Sequence, residues 1–261
     1  MPTSKPPDIR EALLKIVQKM RPHGPNDPSQ QQGAVLRRAA EELAVVNDHD
    51  LELAILTVWH DLFRTGLLAW GFNLNNPDPP FFHFTDRGRK TLENLSRDPG
   101  NPAGYLAHLD SLGTLSEVAS SYLAEGLDCY VSGYYKAAAV MLGAAAESTT
   151  LSLRDVLVAK LTALGQQIPR QLADWKVKTV FDAMYFQLSS RKPNMPHKLA
   201  AELDAFWPAF ASQIRSTRND AGHPVSVEPV TPDQVHASFL VFPEVVPLSS
   251  GLEGWINTSL R

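Results

Sequence analysis

Residues 134–165, "YYKAAAVMLGAAAESTTLSLRDVLVAKLTALG", limit the fold more than any other stretch. They are long enough for a many-turn helix and rich in small side chains. Alanines, with Gly143 among them, let a neighbouring helix approach closely, so this helix is predicted to lie inside a packed bundle. Almost everything after residue 104 is helical in pattern as well. "PAGYLAHLDSL" is a short helix. "TLSEVASSYLAEGLDCYVSG" follows, with Leu115, Val118, Tyr122, Leu123 and Leu127 as its apolar stripe. Two more helices are expected near 171–190 and 196–219. "TPDQVHASFLVF" and "GLEGWINTSL" read as two shorter closing helices, with Thr231-Pro232 supplying an N-cap and a proline at the first helical position.

The first hundred residues have a different rhythm. "DIREALLKIVQKM" puts Ile9, Leu13, Ile16 and Val17 on one face, with Asp8 as N-cap. "RPHGPNDPSQQQG" reads as a linker. Helices are expected near 34–46 and 51–66, separated by "NDHD", where Asp48 or Asp50 offers a capping oxygen. Capping accounts for His49 and its neighbours better than a metal does. "GLLAWGFNLNNPDPPFFHFT" places apolar and aromatic residues on both sides of a turn-rich tip, the pattern of a β-hairpin. Thr85 or Asp86 then caps "DRGRKTLENLSR". His60 and His83 are expected to be packing residues.

Helix, helix, helix, hairpin, helix is the order of a winged helix-turn-helix. "VWHDLFRTGLLAWG" with "FHFTDRGRKTLENL" resembles that family across about residues 34–97. The resemblance implies a DNA- or protein-binding module. Arg37, Arg38, Arg64, Arg87, Arg89 and Lys90 are the cations that such a module would turn to phosphates. Glu41, Glu42, Asp61 and Asp86 lie close by, so a solvated mixed-charge face is the competing description. "RDPGNPAG" marks the boundary, dividing the chain into 1–97 and 98–261.

Composition narrows the function classes. Hydrophobic residues make up 44% of the 261 and charged residues 20%, the balance of a folded globular protein. Cys129 is the lone cysteine, which excludes an internal disulfide and a cysteine-rich zinc site. The N-terminus lacks a signal-peptide core, and the expectation is a cytoplasmic protein without a membrane partner. The net charge is −4: residues 1–97 carry 12 basic and 12 acidic side chains, residues 98–261 carry 12 and 16. A body of that charge does not coat nucleic acid, so any such contact must be local. No P-loop, GxSxG, HExxH or paired CxxC is present, and neither a cofactor nor a metal is expected.

The chemistry-bearing stretch is "STRNDAGHPV", residues 216–225. It ends a helix whose apolar stripe includes Leu203, Phe206, Trp207, Phe210 and Ile214. In an unbroken helix residues five apart are offset by about 140° and cannot converge on one ligand. Gly222 frees the backbone and Pro224 pushes His223 out of helical conformation, so its imidazole can turn back toward Arg218. The same residues also make an ordinary helix stop. As chemistry, they suit cleavage of RNA by its own 2′-hydroxyl, which needs no metal and no protein nucleophile. His223 can act as base or acid near neutral pH. Arg218 offers a planar fork of donors to the phosphate, and Asn219 can hold the phosphate or the imidazole.

"RNDAGH", with the upstream Tyr- and Ala-rich helix ending at Glu147, resembles the HEPN superfamily over roughly 114–245. Those helical bundles share an Arg-x(4–6)-His motif with a polar residue directly after the arginine. The resemblance implies Arg218, Asn219 and His223 as catalytic residues and Glu147 in support, orienting Arg218 or His223. An ordinary ion pair or surface carboxylate is the other reading of Glu147. It also implies a homodimer with both motifs at one cleft, and a role in toxin–antitoxin or anti-phage defence. One motif histidine per chain gives the same quaternary requirement, because the reaction needs both a base and an acid. Tyr134, Tyr135 and Lys136 are assigned to packing and a snorkelling amine.

The expected architecture is therefore mainly α, a winged helix followed by a HEPN-like bundle. The expected activity is that of a metal-independent endoribonuclease acting on RNA. The rival is a non-catalytic regulatory module that binds DNA or protein.

Overall fold

Asp8 opens the first helix as its spacing predicts, its carboxylate accepting from the Glu11 amide at 2.9 Å. The computed structural model describes residues 8–20, 30–208 and 230–261. It is mainly helical, with one two-stranded sheet. The chain divides into two compact units, Met1–Tyr105 and Leu106–Arg261.

In the first unit, α1 (Ile9–Lys19), α2 (Gln32–Glu42) and α3 (His49–Arg64) precede β1 (Leu68–Trp70), β2 (Phe82–Phe84) and α4 (Asp86–Glu93). The strands are antiparallel, with Leu68 opposite Phe84 and Trp70 opposite Phe82. Asp48 caps α3 by accepting from the Leu51 amide at 3.0 Å. Thr85 caps α4 through the Gly88 amide and donates its hydroxyl proton to the Gly66 carbonyl. Trp59, Phe82, Leu13, Ile16 and Leu62 are fully buried at the centre. Trp59 meets Phe63 and Phe82 edge-on. Each buried apolar side chain of this size stabilises the fold by about 1.5–3 kcal/mol.

Two expectations for this unit change. Gln30–Gln32 fall in the stretch read as linker, yet Gln31 forms an antiparallel bridge with Phe81, and the Gln32 amide donates to the Pro80 carbonyl at 2.9 Å. His60 and His83 are exposed, not packed. In β2 the alternation of a strand turns Phe82 and Phe84 inward and His83 outward. The boundary stretch is held by its own side chains. Asp98 is buried and accepts from the Gly100 amide at 2.7 Å and the Thr91 hydroxyl at 3.1 Å. Asn101 donates to the Leu95 carbonyl at 2.8 Å.

Helix α5 (Pro102–Leu112) spans the division. The second unit contains α6 (Glu117–Val131), α7 (Tyr135–Ala163), α8 (Val177–Ser189), α9 (residues 197–208) and α10 (Pro232–Ser259). The alanine-rich stretch is one 29-residue helix, α7, and it packs most extensively on α6 and α10. The α6–α7 pair is antiparallel: Ser116 meets Ser148 at one end, and Tyr130 meets Tyr135 at the other. Between them Gly126 is so close to α7 that an added Cβ would lie 3.2 Å from Met141 Cβ.

The inward face of α6 is Ala119, Leu123, Leu127 and Tyr130, while Val118 and Tyr122 are exposed. Tyr134 is exposed as well, at the N-cap of α7. The two closing helices expected after residue 231 are a single 28-residue helix. It continues through Pro243 and Pro247 because packing against α7 holds it there; Phe242, Pro243, Val246 and Leu248 are all buried. By length and hydropathy α10 could cross a membrane, with a mean hydropathy of 1.3 over its most apolar 18 residues. Half of that window is buried inside the protein, as in the central helix of a bundle.

Candidate functional site

Arg218, Asn219 and His223 lie outside the described residues, as do Phe210 and Ile214. The described elements nearest the motif in sequence are α9 and α10. Helix α9 buries Leu203 and Trp207, and the Trp207 indole stacks on Phe181 at 4.3 Å between ring centres. Thr231 opens α10 with a full capping box. Its hydroxyl accepts from the Gln234 amide while the Gln234 side chain accepts from the Thr231 amide.

Glu147 stands in the middle of α7. It is half-buried and engaged, as a carboxylate in an apolar helix should be. Next to it Ser148 shares a 3.3 Å hydrogen bond with Ser116, the N-cap of α6. Beyond these serines opens a shallow groove of about 500 Å³, lined by hydroxyl and amide side chains such as Thr114, Thr149, Ser152, Ser250 and Asn257 together with Leu115, Leu153 and Glu253.

A pair that sequence reasoning missed sits elsewhere on the bundle. The Tyr130 hydroxyl and His236 Nδ1 are hydrogen-bonded at 2.9 Å. Tyr130 is buried and packs edge-on against Tyr135 and Phe239. The two partners are 106 positions apart and belong to α6 and α10, so no local spacing could reveal them. Glu147 does not join this pair. It is twelve residues along α7 from Tyr135, about 18 Å of helix axis.

In the first unit the expected cations are mostly occupied. Arg64 pairs with Asp61 at 2.8 Å. Arg87 donates to the Thr65 carbonyl at 2.8 Å, satisfying the C-terminal end of α3. Arg89 donates to the Phe84 carbonyl at 2.8 Å and pairs with Asp86. Arg37, Arg38 and Lys90 are exposed. Asp50, Glu52 and Asp61 against Arg64 leave α3 with a net charge of −2 if its histidines are neutral. Arg10 reaches the Gly100 carbonyl at 3.2 Å, and burial pushes its guanidinium down to about 10, an effect Asp61 opposes.

Around His49 the capping reading applies: Asp48 serves the helix, and His49 lies 3.4 Å from Glu52. Among the described residues no cluster of three or more His, Cys, Asp or Glu side chains is placed to hold a metal.

The chain matches no family model, no curated protein and no solved structure.

Proposed function

We propose that this protein is a metal-independent, HEPN-type endoribonuclease built on a winged-helix module, acting in the cytoplasm as a toxin or anti-phage effector. The observation that carries the reading is the "RNDAGH" sequence, together with a half-buried, engaged Glu147 on a long alanine-rich helix of the same unit. In this reading Arg218 binds the scissile phosphate and stabilises the charge that builds on it. His223 moves protons between the 2′-hydroxyl, the leaving 5′-oxygen and solvent. Asn219 and Glu147 hold these groups in register. A homodimer supplies the second His223, so that one imidazole is base while the other is acid.

For the first unit, the order α1, α2, α3, β1, β2, α4 supports a winged helix, as does the bridge from Gln31 to Phe81 at the loop end of the hairpin.

The test is cleavage of a labelled RNA with chelator present, by wild type, Arg218→Ala and His223→Ala. The expected outcome is a product ending in a 2′,3′-cyclic phosphate and a loss of about 10²–10⁴-fold in rate on removing His223. Activity that survives both substitutions, or that disappears with chelator, refutes the mechanism.

One observation favours the rival for the first unit alone. Helix α3, which would be the recognition helix of a winged helix, has a net charge of −2, and with Arg64, Arg87 and Arg89 already engaged it suits a protein contact better than a DNA phosphate backbone. An electrophoretic shift with random duplex DNA separates the two.

A further inference from the structure

The second unit is acidic overall, with 12 basic and 15 acidic side chains over residues 106–261, yet its cations are not spread evenly. Six of the twelve, Arg170, Lys176, Lys178, Arg191, Lys192 and Lys198, fall within residues 170–198, against only Asp174 and Asp182. Three of these are spoken for. Arg191 donates to Gln187 and Gln166, Lys192 pairs with Asp204, and Lys198 faces Glu202. Arg170, Lys176 and Lys178 are exposed, with no ion pair among the described residues.

Two large aromatic side chains are exposed in the same stretch of chain. Trp175 is 85% exposed just before α8, and Phe186 is 70% exposed on it. Lys178, Asp182 and Phe186 follow one another at i, i+4 and i+8, so they form a single row on the solvent face of α8. That row is about 12 Å long at 1.5 Å per residue. Lys176 Nζ lies 5.4 Å from the centre of the Trp175 ring. Trp59, Trp207 and Trp255 are buried and Trp70 is half-buried, so the exposure of Trp175 is not a general property of this chain's tryptophans.

Leaving an indole and a phenyl ring in water is costly unless something covers them. Cations interleaved with exposed rings on one strip are the features that bind single strands: bases stack on the rings and phosphates follow the cations. A duplex hides its base faces and could use only the cations. We propose that the α8 strip, with Trp175 and Phe186 as stacking platforms and Arg170, Lys176 and Lys178 as phosphate contacts, is a docking surface for single-stranded nucleic acid. The inference rests on the ribonuclease reading for the natural ligand, an unpaired stretch of RNA led past the bundle.

The test uses the full chain and a fluorescein-labelled 2′-O-methyl oligouridine of about 15 nucleotides. That probe has no 2′-hydroxyl to attack its own phosphate, so binding is measured apart from cleavage. Wild type is expected to bind with quenching of tryptophan fluorescence, which reports on the one exposed indole. Three phosphate contacts predict a slope of about −2 in log K against log salt. Trp175→Ala and Phe186→Ala should each weaken binding by about 5- to 150-fold. Both rings are exposed, so the variants should melt as wild type does. His223→Ala should bind the probe normally while failing to cleave RNA. If His223→Ala instead cleaves, the nuclease reading fails while this surface stands. Absent binding at low salt, equal binding of a duplex, or affinity unchanged in the Trp175/Phe186 double variant overturns the proposal and assigns the strip to another protein.

Discussion

Replacing Gly88 by alanine sets two physical effects against each other. Gly88 lies in the first turn of α4, where alanine is favoured by helix propensity by up to about 1 kcal/mol. An added Cβ, however, would lie 2.0 Å from the Leu67 carbonyl oxygen, and ordinary contact begins at 3.4 Å. The obstacle is backbone, so no rotamer change relieves it, and the first turn of α4 must move away. That movement strains the Thr85 cap, whose hydroxyl takes the Gly88 amide at 3.0 Å and holds the Gly66 carbonyl at 2.6 Å. Overpacking of this kind costs about 1–3 kcal/mol and a lost cap about 1 kcal/mol. Net of the propensity gain, the first unit should lose about 1–3 kcal/mol. For a domain near one hundred residues that lowers Tm by roughly 5–20 °C. Gly33→Ala is the matched control: it sits in the first turn of α2 with nothing within 4 Å of its added Cβ. It should be neutral or raise Tm slightly. Calorimetry on both variants decides the matter. If Gly88→Ala is as stable as Gly33→Ala, the close approach of α4 to Leu67 is not what holds this helix in place.

Two further outcomes can be measured. Burial pushes the Tyr105 hydroxyl well above its ordinary pKa near 10. A group with a raised folded pKa contributes fully below its unfolded value and loses that contribution as pH rises past it. Stability should therefore fall above pH ~10 in urea melts, and Tyr105→Phe should flatten that decline. Thr231→Ala removes one half of a capping box at the start of α10 and should cost about 1 kcal/mol, read as a lower urea midpoint with unchanged slope.

Features set by neighbouring residues were legible in the sequence, and features set by distant ones were not. Asp8, Thr85 and Thr231 act on amides three residues away, so a cap is written entirely in local spacing. The length of α7 follows from its own composition. Pro243 and Pro247 argue locally for a break, but helix α10 runs through them because its packing on α7 outweighs the lost hydrogen bonds. Val118 and Tyr122 fit an apolar stripe by spacing, yet the close approach at Gly126 turns Ala119 and Leu123 toward α7 instead. His83 depends on strand alternation, and the Tyr130–His236 contact on how α10 returns to α6. The motif at Arg218 and His223 is legible as residue types in order, and its geometry belongs to residues outside those described.

The α6–α7 hairpin also bears on how the chain is made. Its partners are adjacent in sequence, so it can pair as soon as residue 163 has been synthesised, with little loop entropy to overcome. Helix α10 comes last and covers α7 from far along the chain. Until it arrives, part of the alanine-rich helix stays bare to the cell, an open flank on which a ribosome-bound chaperone or a second nascent copy could settle.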